Sequence, residues 1–175
     1  MFPDQPASTP TARTCGMSDP AALVHATAVA IRGQGILLMG ASGSGKSDLA
    51  LRMIERGAIL ICDDYCDIVD SDSGPQIHAK TNIAGDIEIR GVGIHQCEYI
   101  VQAPLNLALI LDKQPERLPS YDESIELAGW SVPCFALAPF EASAPLKAEI
   151  LLRLTVDAGR CPVRLETSRY NRGVE

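Results

Sequence analysis

Residues Gly40 to Ser47 read "GASGSGKS", between the apolar stretch "GILLM" and the segment "DLALRMIERG". No other stretch restricts the possible folds as much. Glycine and serine at this density with one lysine make either a flexible hinge or a cradle for phosphate groups, and the flanks decide which. Upstream, "ALVHATAVAI" and "GILLMG" enclose "RGQG", and two β-rich runs around a short glycine turn predict a hairpin feeding the loop. Downstream, Leu49, Met53 and Ile54 recur at helical spacing, with Asp48 in the first turn and Gly57 placed as a C-terminal cap. A strand, then G-x-x-x-x-G-K-[ST], then a helix is the P-loop arrangement, which turns backbone N–H groups and a helix N-terminus toward anionic oxygens. Gly40, Ala41, Ser42, Gly43, Ser44 and Gly45 would wrap the phosphates, Lys46 would reach the terminal ones, and Ser47 would hold Mg²⁺ through its hydroxyl.

What surrounds the loop is an ordinary globular chain. Its 175 residues suit one domain, and 46% apolar with 21% charged residues lies near the globular average. A formal net charge of −7 argues against a broad basic surface for nucleic acid. The longest apolar run, "PAALVHATAVAI", is too short to span a bilayer, so no membrane role is expected and a cytoplasmic location is. Cys15, Cys62, Cys66, Cys97, Cys134 and Cys161 include no C-x-x-C pair. Cys62 and Cys66 stand four apart without a second pair to complete a metal site, and all six are expected as reduced, mostly buried thiols.

Three segments are expected: a disordered lead over residues 1–20, rich in Pro, Ser and Thr; a catalytic domain over 21–156; and a solvated tail over 157–175. Within the domain, "AILICDDYCDIV" is an apolar strand ending in Asp63 and Asp64, and carboxylates at the C-terminal end of a core strand face the crevice that holds the loop. Phosphotransfer to a hydroxyl needs both a metal-organising acid and a proton acceptor, and two acids could divide those roles. "DIVDSDSGPQIHAK" reads as a second hairpin, with His78 a surface strand residue. In "GDIEIRGVGI", Glu88 and Arg90 sit two apart and share one face of an extended segment. Strands near "LALILD" and "SVPCFAL" follow, then a helix "PLKAEILLRLTV" with Leu146, Ile150, Leu151 and Leu154 on one side.

"GASGSGKS", then "CDD", then "IEIRGVGI" together resemble the catalytic C-terminal domain of bacterial HPr kinase/phosphorylase, which modifies a serine of the phosphocarrier HPr. The resemblance covers about Ala21 to Leu154. It implies an α/β P-loop nucleotide-binding fold akin to phosphoenolpyruvate carboxykinase, hexameric assembly, and ATP and Mg²⁺ as cofactors. Carried over by residue, it implies an active-site role for His25, which precedes the first loop glycine by fifteen positions. Lys46 matches the phosphate lysine, Ser47 a magnesium ligand, Asp64 the base of the kinase direction with Asp63 assisting, and Glu88 a second magnesium ligand with Arg90 in the same signature. Arg117 is the nearest match to a downstream arginine of the family.

Two departures from the family pattern stand out. The usual enzyme carries an additional N-terminal domain, whereas about twenty residues precede the first strand here, so a minimal version is expected, similar to truncated α-proteobacterial forms that act on the nitrogen-type phosphotransferase system. Where the family has a "PGRNLA"-like loop linked to dephosphorylation, this chain has "APFEASAPLKAE". The expected activity is therefore phosphorylation of a serine on an HPr-like carrier, with weak reversal. A P-loop kinase for a small molecule and a nucleotide-gated binding protein are the other readings of the same residues.

Overall fold

The computed structural model of this chain describes residues 22–111 and 114–165. The expected lead and the last residues of the expected tail lie outside them. In chain order the described elements are β1 (Ala22–Ile31), β2 (Gln34–Met39), α1 (Lys46–Ile54), β3 (Ile59–Cys62), β4 (Tyr65–Val69), β5 (Gln76–His78), β6 (Asp86–Ile89), β7 (Gly93–Gln96), β8 (Gln102–Leu111), β9 (Ser124–Leu127), β10 (Trp130–Leu137), α2 (Ala144–Asp157) and β11 (Val163–Arg164).

The fold is mixed α/β and dominated by its sheet. Strand order is β11-β10-β8-β2-β1-β4-β5, with β3 on β1, β9 on β10, and β5 returning to pair with the start of β8. β2 runs parallel to β8 and β8 parallel to β10, while the pairings of β1 are antiparallel. The β1–β2 hairpin turns through Arg32 and Gly33 with φ of 51° and 78°, the two left-handed residues of a tight turn whose twist suits the flanking strands.

Each central strand is apolar throughout because both its faces are covered. Ile36 and Leu38 of β2, and Leu107 and Leu109 of β8, pack with Leu49 and Met53 of α1 and with Ala148 and Leu152 of α2. Leu37 and Ala108, on alternate positions of those strands, enter a second cluster on the opposite face with Ile61, Cys62, Cys66 and Trp130. Fully burying a leucine or isoleucine contributes roughly 1.5–3 kcal/mol, so these two clusters make the sheet the rigid floor of everything above it.

Two features of the C-terminal part go beyond what the sequence reading gave. In α2 the buried residues are Ala144, Pro145, Ala148, Leu152 and Thr155, while Leu146, Ile150 and Leu154 remain 46%, 45% and 40% exposed. The small side chains let the helix lie close on the sheet, and the larger apolar stripe points away from it. The chain past Asp157 also does not simply trail off: β11 pairs with β10, and Arg164 grips Asp70 through two hydrogen bonds of 2.7 Å with its guanidinium 4.7 Å from the Trp130 ring centre. Trp130 Nε1 donates to the same carboxylate at 3.1 Å, so one acid ties the C-terminal segment to the sheet.

Candidate active site

The loop 40–45 joins β2 to α1 as expected, and its geometry follows from its glycines. Gly45 caps the helix in the left-handed region at φ 95°, and a Cβ there would stand 2.9 Å from the Phe140 ring. A side chain at this position would meet both backbone strain and a clash. Lys46, the first helical residue, is only 6% exposed and donates from Nζ to the Gly40 and Ala41 carbonyls at 3.1 and 3.3 Å. The ammonium is thus folded back over the loop that precedes it. Ser44 Oγ is buried without a hydrogen-bond partner.

The carboxylate pair is divided by its environment. Between the register pairs Ala28 with Cys62 and His25 with Tyr65, each chain has two residues, which sets Thr27 against Asp63 and Ala26 against Asp64. Asp63 is 6% exposed and accepts from Thr27 Oγ1 at 2.6 Å, from Ser47 Oγ at 3.0 Å and from the Glu88 backbone N–H at 3.1 Å. It therefore links β1, α1 and β6 through one side chain. Asp64, half-exposed, lies with Oδ1 3.8 Å from His25 Nε2. It has φ of 64°, and Tyr65 N–H donates to the Asp63 carbonyl at 2.8 Å across it. That is a γ-turn of the rare positive-φ kind. β3 thus ends at the acids, as its sequence suggested, and the chain kinks there before resuming as β4.

Cys62 and Cys66, on either side of this kink, are joined in a disulfide. This corrects the expectation of six reduced thiols. The kink brings together two residues that a straight strand would hold apart. Cys97, Cys134 and Cys161 are free, and burial pushes the Cys97 and Cys134 thiols up, which keeps both poorly nucleophilic.

His25, Ser42, Gly43, Gly45, Lys46, Ser47, Asp64, Glu88 and Arg90 line one open cleft of about 360 Å³. The alternation of β6 buries Ile87 and leaves Glu88 exposed, and the β6–β7 hairpin holds Glu88 and Arg90 at the rim. Gly40, Ala41, Ser44 and Asp63 are not among the residues that line it. Arg117 is exposed in the segment between β8 and β9 and does not line the cleft. Pro139 to Pro145 lies along the loop, where Arg52 donates to the Pro139 and Glu141 carbonyls. Lys147 is paired with Glu141 and lowers that carboxyl from its usual range.

Two residues of the site escaped the sequence reading. Phe140 stands 62% exposed at the rim against Gly45, and in the sequence it is a lone aromatic in an alanine- and proline-rich run. Thr27 had a signal: it lies two residues beyond His25 on a strand, hence on the same face. Thr27→Val keeps its shape but withdraws a donor from a buried carboxylate, and should lower unfolding stability by about 1–3 kcal/mol. Chemical denaturation would measure it, and an unchanged midpoint would mean that Ser47 and the Glu88 amide satisfy Asp63 alone.

A glycine loop opening a helix, with one acid after the adjoining strand bonded to Ser47 and another beside His25 in the same cleft, defines a class of mixed α/β proteins. The particular member follows from comparison. The chain belongs to the family described as HPr Serine kinase C-terminal domain, whose sequence profile matches residues 18–141. It is 30% identical over 161 residues to the HPr kinase/phosphorylase of Enterococcus faecalis, covering 85% of this chain and 50% of that protein. It is 33% identical over 126 residues to that of Caldicellulosiruptor bescii, covering 65% and 40%. The chain spans about half or less of the length of these relatives. Among solved structures, the Hpr(Ser) kinase/phosphatase from Coxiella burnetii superposes with a TM-score of 0.68 at 27% identity, over 79% of this chain and 94% of that one.

Proposed function

We propose that this chain is a cytoplasmic, ATP- and Mg²⁺-dependent kinase that phosphorylates a serine of an HPr-like phosphocarrier protein. The observation that carries the reading is the separation of the two acids: Asp63 is buried under three donors, while Asp64 is half-exposed beside His25 in the cleft that Lys46 and Ser47 also line. A protein that only held nucleotide would have no use for the second acid. In this mechanism the loop amides and Lys46 hold the charge on the transferred group, and Asp64 takes the proton of the attacking serine hydroxyl, oriented by His25. The unpartnered Ser44 hydroxyl supports an anion at the loop, since buried hydroxyls are rarely left unsatisfied.

Ser47 and Glu88 would hold Mg²⁺, with Asp63 fixing Ser47 from behind. All are hard oxygen donors, and among the described residues no group of three or more His, Cys, Asp or Glu could hold a metal unaided. That suits an ion which takes one or two protein oxygens and fills its remaining positions from phosphates and water. Bound there, it would neutralise charge on the nucleotide phosphates.

A protein substrate is supported by the hairpin that carries Glu88 and Arg90, where Val92 and Ile94 are each 76% exposed beside the cleft. The net charge of −7 speaks against nucleic acid, and no helix among the described residues is long and apolar enough to cross a membrane. Self-association, a hexamer in this reading, is supported by the exposed Leu146, Ile150 and Leu154 stripe of α2. Reversal should be weak: Pro139 to Pro145 contains no arginine, Lys147 is already paired, and Arg90 is the cation besides Lys46 that lines the cleft.

The test is incubation with γ-labelled ATP, Mg²⁺ and an HPr-like protein, expecting acid-stable label on serine. Label on a small molecule, or none transferred, would overturn the assignment. Run in reverse with the serine-phosphorylated carrier and inorganic phosphate, pyrophosphate release should be much slower than the forward reaction.

A further inference from the structure

The disulfide encloses both acids, and the geometry explains how it can exist. Four residues of regular strand span about 13 Å, yet the Cα atoms of Cys62 and Cys66 are 5.9 Å apart. That separation lies within the range a disulfide needs. The shortening comes from the γ-turn at Asp64, closed by Tyr65 N–H to the Asp63 carbonyl and braced by Ala26 N–H to the Asp64 carbonyl at 3.0 Å. In a straight strand Asp63 and Asp64 would point to opposite faces. Because of the turn, one meets Ser47 and the other meets His25.

We propose that Cys62 and Cys66 are a reversible oxidation site whose disulfide locks the kink that delivers Asp64 to the cleft, so that the thiol state of this pair sets the rate of phosphoryl transfer. This rests on the kinase reading and adds a regulation to it. A non-glycine residue at positive φ is strained and persists only where its surroundings hold it. The bond can form only in the kinked conformation. By reciprocity, whatever the kink contributes to the bond, the bond contributes to the kink.

Oxidation balances with a disulfide as oxidant. One cysteine thiolate attacks glutathione disulfide and expels one glutathione thiolate, and the second then attacks the cysteine sulfur of the mixed disulfide and expels the other. Two thiols become one S–S bond, and two glutathiones carry away the electrons and protons. Cys62 and Cys66 are 3% and 0% exposed, so exchange waits on local opening of the turn, whose Asp64 and Tyr65 are exposed. The reduced state is also accommodated: Cys66 Sγ lies 3.3 Å from the Ala26 carbonyl, which would accept from its thiol. A disulfide in a cytoplasmic protein is typically transient or redox-sensing.

The experiment equilibrates the whole protein in glutathione buffers from fully reduced to fully oxidised. Alkylation and mass spectrometry read the Cys62–Cys66 pair, with exposed Cys161 as internal reference; hydrogen exchange reads the Ala26 and Tyr65 amides; serine phosphorylation reads turnover. On oxidation we expect exchange of those two amides to slow and turnover to rise, each by about tenfold, within the usual range for linked sites, and at one shared midpoint. Cys66→Ala should stay at the reduced level in every buffer. A pair that titrates completely while exchange and turnover stay constant overturns the proposal, as does a pair that never oxidises while Cys161 is glutathionylated. If the exchange change occurs but no transfer is seen in any buffer, the lock stands and the kinase reading falls.

Discussion

Lys46→Ala should slow phosphoryl transfer by about 10²–10³, the typical loss for one preorganised donor aimed at developing charge. The structure shows why binding should suffer less. Lys46 Nζ now rests on the Gly40 and Ala41 carbonyls, and it must leave them for the transferring group, so the stronger contact belongs to the transition state. The loop's amides remain for the ground-state nucleotide. Folding should survive, because the substitution removes a 6% exposed charge that carbonyl dipoles alone compensate. Steady-state kinetics with the melting temperature as control would check this: kcat falls, KM for ATP moves little, and Tm holds or rises. An unchanged kcat would place the transferred group elsewhere.

Asp64→Asn should cost about 10²–10⁴ in kcat, the usual share of a positioned general base. Asparagine suits this position because it tolerates the left-handed conformation that Asp64 occupies at φ 64°. The turn, the disulfide and the cleft should therefore survive, and only the proton acceptor is lost. The control is Asp63→Asn, which weakens a buried carboxylate holding three donors and should lower Tm as well as rate. If Asp64→Asn keeps full turnover, the base lies elsewhere in the cleft, with His25 the nearest candidate.

The contrast between these adjacent acids shows how far the sequence reaches. "GASGSGKS" with its flanks was legible because everything that shapes it is local: glycines for the turn, a strand before, a helical period after. The β1–β2 hairpin was legible for the same reason, as was Glu88 with Arg90, whose spacing of two matters only once the segment is extended. Two acids with two roles could also be expected. Resemblance assigned Asp64 the part of base and Asp63 that of assistant; the residues alone could not show that Asp63 is the buried one, because it is held by Thr27 on β1, Ser47 on α1 and an amide on β6, partners 36, 16 and 25 positions away.

The same limit governs the other differences. Apolar periodicity shows that α2 has faces worth burying, but the sheet accepts the side with Ala148 and leaves Leu146, Ile150 and Leu154 outside, a choice made by how closely two surfaces can approach. Arg164 is exposed as a tail residue would be, yet Asp70 and Trp130 come from elsewhere in the chain to hold it. Cys62 and Cys66, four apart in an apparent strand, should not meet. By itself the sequence determined the elements and the loop, since backbone preference and hydrophobic period act over a few residues. Tertiary structure alone decided the burial of Asp63, the kink and its disulfide, because each depends on strands of distant sequence pairing in one register, and on β1 holding a strained turn that no local preference would form.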